Sequence, residues 1–277
     1  MPKTISPELL AALSRVDGPT LSNAIEALHV RDLLTGFAGH RVGCLFPELG
    51  ATTGYAVTAQ VDTTSEGAPA IGAGMREFMG LIDSSPKPVV VVYQDVGPRP
   101  GSAAFLGDYS ANLMKRLGVV AFVCDGAIRD INEVRALGLA CFALGTTVSH
   151  GNPRRVRINA PVMVDGLYVE PGDLIHCDPN GVLSVPLDVA DKLMAEVAKV
   201  RALERETIDF IRGPDFTLDA ALKRMGHRRR RGLSRLLRNG VTQTIVRTGS
   251  NVSMDWLDYA FRAAAQARSS GLSCGAG

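Results

Sequence analysis

Two short runs hold residue types that could do chemistry together. In the first, Leu106-Gly107-Asp108-Tyr109-Ser110 follows a Gly/Pro-rich loop at 97–101 and opens a helix. The amides of a helix's first turn lack intrahelical acceptors and favour an anion, and a glycine there lets a ligand come close. The plainer alternative is that Asp108 only caps the helix. In the second run, Cys124-Asp125-Gly126-Ala127-Ile128-Arg129-Asp130 ends an apolar stretch at 119–124. Open α/β sheets gather ligands at the C-terminal ends of their strands. Arg129 offers a planar fork of donors for a carboxylate, and Asp130 a hard oxygen for a divalent cation. Alone, Asp130 could again be a cap. Together, the two runs at the starts of successive helices point to one shared site. Neither contains a lysine, which disfavours a Schiff-base mechanism.

Other motifs carry less. Gly72-Ala73-Gly74 begins a G-x-G-x-x-G run but lacks the third glycine and a preceding strand, so close helix packing is expected. His29, His40, His150, His176 and His227 show no H-E-x-x-H spacing and are expected to be structural. No G-x-S-x-G elbow anchors a serine triad.

The elements that must position these runs are legible from periodicity. Ser6-Pro7 opens a helix with Leu9, Leu10, Leu13 and Val16 on one face, and Asp17-Gly18-Pro19 breaks it. Thr20 or Ser22 is expected to cap a second helix reaching about His29. A strand is predicted over 54–63, a largely helical stretch over 67–83, and a strand at 89–94 covered on both faces. Then come a helix at 107–117, a strand at 119–124, a helix at 129–137 and a strand at 139–144. Short strands at 156–159, 162–164, 174–177 and 182–185 follow, with turns at Asp165-Gly166, Pro171-Gly172 and Asn180-Gly181. A long helix is expected over 187–211. This order, α/β alternation followed by a β-rich meander, fits a small α/β/β layered domain. Residues 1–213 form that domain, and 214–277 a basic extension, partly disordered or helical, with one helix expected near 254–267.

Composition bounds the class. The chain has 277 residues, 46% of them apolar and 21% charged, enough for a large core and too balanced for disorder. No apolar run reaches membrane-spanning length and no signal core stands at the start, so a membrane protein is not expected. Five scattered cysteines without a C-x-x-C pair predict reduced, buried thiols and a cytoplasmic location. The net charge of +2 hides an asymmetry: eight Lys or Arg crowd 223–238, and the rest of the chain stands near −6. Arg228–Arg231 lacks interleaved aromatics, so a solvated basic tail is expected in preference to nucleic-acid contact.

The pair Gly107-Asp108 followed by Asp125-Gly-Ala-x-Arg129-Asp130 resembles the RraA-like family. Support comes from Thr20-Leu-Ser-Asn-Ala, Gly54-Tyr-Ala-Val-Thr, Gly145-Thr and Pro171-Gly172-Asp173 leading to Asp178-Pro-Asn-Gly181-Val. The similarity runs from about Leu9 to Gly213. That family includes class II 4-hydroxy-4-methyl-2-oxoglutarate (4-carboxy-4-hydroxy-2-oxoadipate) aldolases, which also decarboxylate oxaloacetate, and regulators of ribonuclease activity. The resemblance implies a swivelling α/β/β domain assembled as trimers or hexamers with sites between subunits. It implies Mg²⁺, Mn²⁺ or another divalent cation as cofactor and a small 2-oxo acid as substrate. By resemblance, Gly107, Asp108, Tyr109 and Ser110 bind the substrate carboxylate through backbone amides, and Arg129 binds the substrate. Asp130 matches the direct metal ligand, Asp108 the acid that reaches the metal through water. Glu204 or Glu206 could supply the glutamate that aldolases take from a neighbouring subunit. Asn23 replaces a frequent Asp, and Tyr109-Ser110 a more usual Asn/Leu-type pair. The basic tail lies outside the family pattern.

The resemblance thus leads to a metal-dependent lyase, cleaving a carbon–carbon bond beside a 2-oxo acid to leave a pyruvate enolate. The rival is a protein-binding regulator of a ribonuclease with no chemistry of its own. Retention of arginine and metal ligand together favours the lyase.

Overall fold

The computed structural model describes residues 3–224. Helix α1, Pro7–Leu13, starts where Ser6 accepts from the Leu9 amide. Helix α2 spans Gly18–Ala27, capped by Asp17, whose Oδ1 accepts from the Thr20 amide at 2.9 Å. The expected caps Thr20 and Ser22 therefore lie inside the helix. The proline at N1 or N2 sets the start, and the carboxylate before it satisfies the orphan amide.

The strands are β1 (Gly43–Cys44), β2 (Thr52–Asp62), β3 (Val89–Asp95), β4 (Ala104–Leu106), β5 (Val119–Cys124), β6 (Ala127–Ile128), β7 (Ala140–Ala143), β8 (Gly145–Thr146), β9 (Arg154–Ile158), β10 (Val162–Val164), β11 (Leu167–Val169), β12 (Leu174–Asp178) and β13 (Gly181–Val185). Helices α3 (Met75–Ser84), α4 (Asp108–Arg116), α5 (Ile131–Ala136) and α6 (Ala190–Arg212) complete the order. The largest sheet runs β1-β7-β5-β3-β2-β12-β13, with β9 also on β2. Its centre, β2, β3, β5 and β7, is parallel, and β12 and β9 pair antiparallel with β2.

Strand β3 shows why this sheet is a middle layer. Val89, Val91 and Tyr93 join one core with Phe78, Ile82, Met114 and Val134 from helices α3, α4 and α5. Val90 and Val92 join the other, against Val162, Val164, Leu167 and Val169 of the β10–β11 hairpin. Side chains alternate across a strand, so an unbroken apolar run is buried only when both faces are covered. The result is the α/β/β layering expected from the sequence. Tyr55, Leu174, Leu183 and Val185 form a third cluster with α1, α2 and the first turns of α6.

Some expectations needed correction. Helix α3 begins only at Met75, because Gly72 adopts φ 75° and Gly74 stands at the cap in extended geometry. The glycine run thus forms a loop, although its apolar spacing looked helical. The short strands β4, β6 and β8 were not anticipated; three or fewer residues carry too little pattern. The chain divides into two units, 1–207 and 208–277, within α6, and the boundary expected at 213 directly follows that helix. In the second unit the Arg224 guanidinium stands 4.1 Å from the Phe210 ring centroid. The rest of the basic run, and the helix expected near 254–267, lie outside the described residues. Cys124, Cys141 and Cys177 are buried and Cys44 half-buried, all unpaired thiols. No helix among the described residues is long and apolar enough to cross a membrane.

Candidate active site

Each of β3, β5 and β7 is followed in the chain by a strand of a separate small parallel sheet ordered β4-β6-β8. The Arg129 amide donates to the Leu106 carbonyl at 2.9 Å, extending that ladder by one residue. The chain ends Leu106-Gly107-Asp108 and Ile128-Arg129-Asp130 therefore run side by side into α4 and α5. The two runs separated in sequence meet here.

Asp130 holds the junction together. It occupies the left-handed region, φ 55° and ψ 46°, and makes no capping bond within its own helix. Aspartate tolerates that region better than most residues. The turn instead sends Oδ2 across to the neighbouring helix, where it accepts from the Asp108 amide at 2.8 Å. The Arg129 Nε lies 3.6 Å from the same oxygen, and both side chains are 36% exposed. Asp130 thus occupies the N-cap position of α5, the alternative left open by the sequence, without capping that helix through its side chain. Asp108 is not the cap of α4 either; Gly107 is, and Asp108 is the first helical residue. Its Oδ1 accepts from Asn112 Nδ2 at 2.7 Å, and Ser110 Oγ donates back to the Gly107 carbonyl at 3.1 Å.

Gly107 is required by close approach. A Cβ there would lie 2.7 Å from Asp130 Oδ2 and 3.0 Å from Arg129 Nε. A Cβ on Gly126, on the other run, would meet the Phe105 ring at 2.5 Å, so glycine there leaves room for that ring.

These residues face a cleft of about 570 Å³. Gly107, Asp108, Tyr109, Ser110, Arg129 and Asp130 line it, together with Met75, Met79, Tyr93, Phe105, His150 and Arg155. Every site residue expected from the two runs is present. Burial raises the Tyr93 phenol above its usual range. Tyr93 also sits edge-on to Phe78, Phe105 and Phe122, which keeps the floor apolar. Behind the site, Asp125 Oδ1 accepts from the Asp95 amide at 2.6 Å, and burial pushes the Asp125 carboxyl up to about 6.

The donor set suits a hard divalent cation in part. Asp130 and Asp108 bring two carboxylates to adjoining helix starts at the cleft. Among the described residues no group of three or more His, Cys, Asp or Glu converges on one point. A cation that keeps several waters and takes one or two carboxylates, as Mg²⁺ does, fits this supply. Within its own chain Glu204 is turned to α2, where Oε1 accepts from Asn23 Nδ2 at 3.3 Å, and neither Glu204 nor Glu206 lines the cleft.

His150 and Arg155 also line the cleft, beyond the residues expected there. His150 was expected to be structural, yet it lines the cleft, with Nδ1 2.6 Å from the Gly151 carbonyl. Arg155 lay just outside the strand expected at 156–159, whereas β9 begins at Arg154. Extending the alternation back two residues would have sent the two arginines to opposite faces. His176 matches its structural assignment: it is fully buried, its Nδ1 is 2.9 Å from the Thr53 hydroxyl, and burial depresses it to about 4.

Residues 21–184 match the family model described as RraA-like, Aldolase/RraA. A Halalkalibacterium halodurans protein named "Putative 4-hydroxy-4-methyl-2-oxoglutarate aldolase" is 30% identical over 159 residues, 57% of this chain and 74% of its own. An uncharacterized protein from Pseudomonas syringae shares the fold at a TM-score of 0.64 and 23% identity, over 80% of this chain and 96% of that one. Streptomyces coelicolor RraAS2, described as an unusual member of the RNase ES inhibitor RraA protein family, aligns at a TM-score of 0.59. It is 25% identical, over 74% of this chain and 98% of its own.

Proposed function

Since the chain belongs to the RraA-like family, we propose that it is a divalent-metal-dependent carbon–carbon lyase. Its substrates would be 2-oxo acids of the 4-hydroxy-4-methyl-2-oxoglutarate type, cleaved by a retro-aldol reaction to pyruvate. Oxaloacetate would lose CO₂ at the same site through the same pyruvate enolate. One observation carries the reading: Arg129 and Asp130 adjoin the start of α4 in a single cleft, with Asp130 Oδ2 2.8 Å from the Asp108 amide.

Asp130, with Asp108 beside it, would hold the cation, which when bound supplies Lewis acidity at the 2-oxo oxygen. The amides opening α4 other than that of Asp108, which is held by Asp130, bind the C1 carboxylate, where the helix dipole favours an anion. Arg129 donates to the oxygen that gains charge as the C3–C4 bond breaks; such a donor is worth roughly 3–4 kcal/mol in the transition state. Asp108 takes the C4 hydroxyl proton through a water, and the same proton returns to C3 of the enolate. The bonding electrons of C3–C4 pass to the enolate, so C4 leaves as a carbonyl. The apolar floor of Tyr93 and Phe105 excludes solvent and strengthens each of these interactions. No lysine lines the cleft among the described residues, in keeping with a mechanism that needs no Schiff base.

We also propose assembly as a trimer or hexamer, with Glu204 or Glu206 acting in a neighbour's cleft. A second reading, a regulator of ribonuclease without chemistry, is favoured by the likeness to RraAS2. One experiment separates them. The wild type should release pyruvate from oxaloacetate with Mg²⁺ or Mn²⁺, and Asp130→Ala should abolish that stimulation. Because the variant also leaves the Asp108 amide without its acceptor, it should melt slightly lower, by about 1 kcal/mol in stability. No turnover by the wild type with either metal refutes the lyase; undiminished, chelator-resistant turnover by Asp130→Ala refutes the metal site.

A further inference from the structure

Arg154 and Arg155 are neighbours on β9 with opposite fates. Arg154 Nη2 donates to Asp62 Oδ2 at 2.9 Å, a conventional ion pair. Arg155, on the other face of the strand, is only 8% exposed and forms no ion pair among the described residues. Its Nε is buried with no hydrogen-bond acceptor. Its Nη2 meets only the Met75 thioether, at 3.4 Å, and the guanidinium lies 5.3 Å from the Phe78 ring centroid. A guanidinium has five donors and stays charged, so burying it against sulfur and an aromatic face leaves most of its hydrogen-bonding capacity unused. Buried charges are ordinarily paired. Arg155 lines the cleft that holds Arg129 and the start of α4.

We propose that Arg155 is the specificity residue that receives a second carboxylate of the ligand, at the end of the chain remote from the 2-oxo group. This rests on the lyase reading for the near end, where α4 and Arg129 take the 2-oxo acid. The preferred ligand class is therefore the 2-oxo dicarboxylates, over 2-oxo monocarboxylates of equal length. A carboxylate fits the planar fork in a bidentate manner, and the Met75 and Phe78 surroundings keep water from competing. The cleft that both arginines line has a volume of about 570 Å³, ample for a five-carbon dicarboxylate.

Titration calorimetry on the full-length protein with Mg²⁺ tests this using two acids that differ only at the far end. 2-Oxoglutarate ends in a carboxylate and 2-oxopentanoate in a methyl group. Neither carries a C4 hydroxyl, so no retro-aldol cleavage disturbs the measurement. The wild type should bind 2-oxoglutarate at least about tenfold more tightly. Arg155→Met, which fills similar space against Phe78, should bring the two within about threefold by weakening 2-oxoglutarate alone. Its melting temperature should not fall, because an unpartnered buried cation has been removed; an arginine kept only for structure would give a lower one. Arg155→Lys serves as a second variant, keeping charge but losing the fork, and should retain an intermediate preference. A wild type that binds neither acid, or both equally, overturns the assignment, as does a preference that Arg155→Met leaves intact. An Arg155-dependent preference in a protein that releases no pyruvate overturns the lyase reading and leaves Arg155 in place.

Discussion

Adding one methyl group at Gly107 should disable the site while leaving the fold standing. Gly107 sits at φ −140° and ψ −179°, extended backbone that alanine adopts without strain. The cost to folding is that of a poorer cap, about 1 kcal/mol, or about 2–4 °C in melting temperature for a domain of this size. The cost to function is larger. The new Cβ would stand 2.7 Å from Asp130 Oδ2 and 3.0 Å from Arg129 Nε, against an ordinary contact of roughly 3.5 Å. Asp130 Oδ2 ends a short side chain and Arg129 Nε lies within a long flexible one, so each can recede by several tenths of an ångström and the protein folds around the insult. They are also the groups assigned to the metal and the developing charge. Misplacing reacting groups by about 1 Å can cost 10²-fold, so Gly107→Ala should lower kcat/KM for oxaloacetate by about 10- to 10²-fold. The assay is pyruvate release with saturating Mg²⁺, beside a thermal melt and a sedimentation profile. Wild-type kinetics in a correctly folded Gly107→Ala protein would show that Arg129 and Asp130 do not act at this junction. A collapse of stability by several kcal/mol would show instead that the junction is structural.

Arg129→Lys keeps the charge but loses the two-pronged geometry, and should lower kcat/KM by about 10²-fold or more with an unchanged melt; parity with wild type would move the site elsewhere. Light scattering should give a trimer or a multiple of it, and an active monomer at micromolar concentration would refute a site completed between subunits. Asp125→Asn tests the burial of that carboxyl. Its folded value is raised to about 6 from an ordinary 3.8, chiefly by burial, so the ionised form weakens the fold as pH rises from near 4 through 6. The asparagine carbonyl can still accept from the Asp95 amide. The variant should therefore be more stable than wild type by about 1–2 kcal/mol at pH 8, an advantage that vanishes by pH 4. An equal difference at both pH values would rule out titration of Asp125 as its source.

Much of this protein was decided by local sequence. Ser6-Pro7 sets α1, and the run 89–94 announces a strand buried on both sides, because period and propensity act within a few residues. The two chemical runs were visible for the same reason: glycine beside acid at one helix start, arginine beside acid at the next. Other features depended on residues distant in the chain. Asp130 looked like a cap for its own helix, and only the pairing of β4 with β6 turned it toward Asp108. The short strands that do this are too brief to carry a pattern and exist because the longer strands β3 and β5 already lie in register. Arg155 is the clearest case. Alternation sends it and Arg154 to opposite faces but not to a partner; β2 supplies Asp62 to one of them, and α3 supplies Met75 and Phe78 to the other. Burial and partnership are properties of what the rest of the chain brings alongside, so tertiary structure gave one arginine a buried carboxylate and left the other a cleft cation without an ion pair among the described residues.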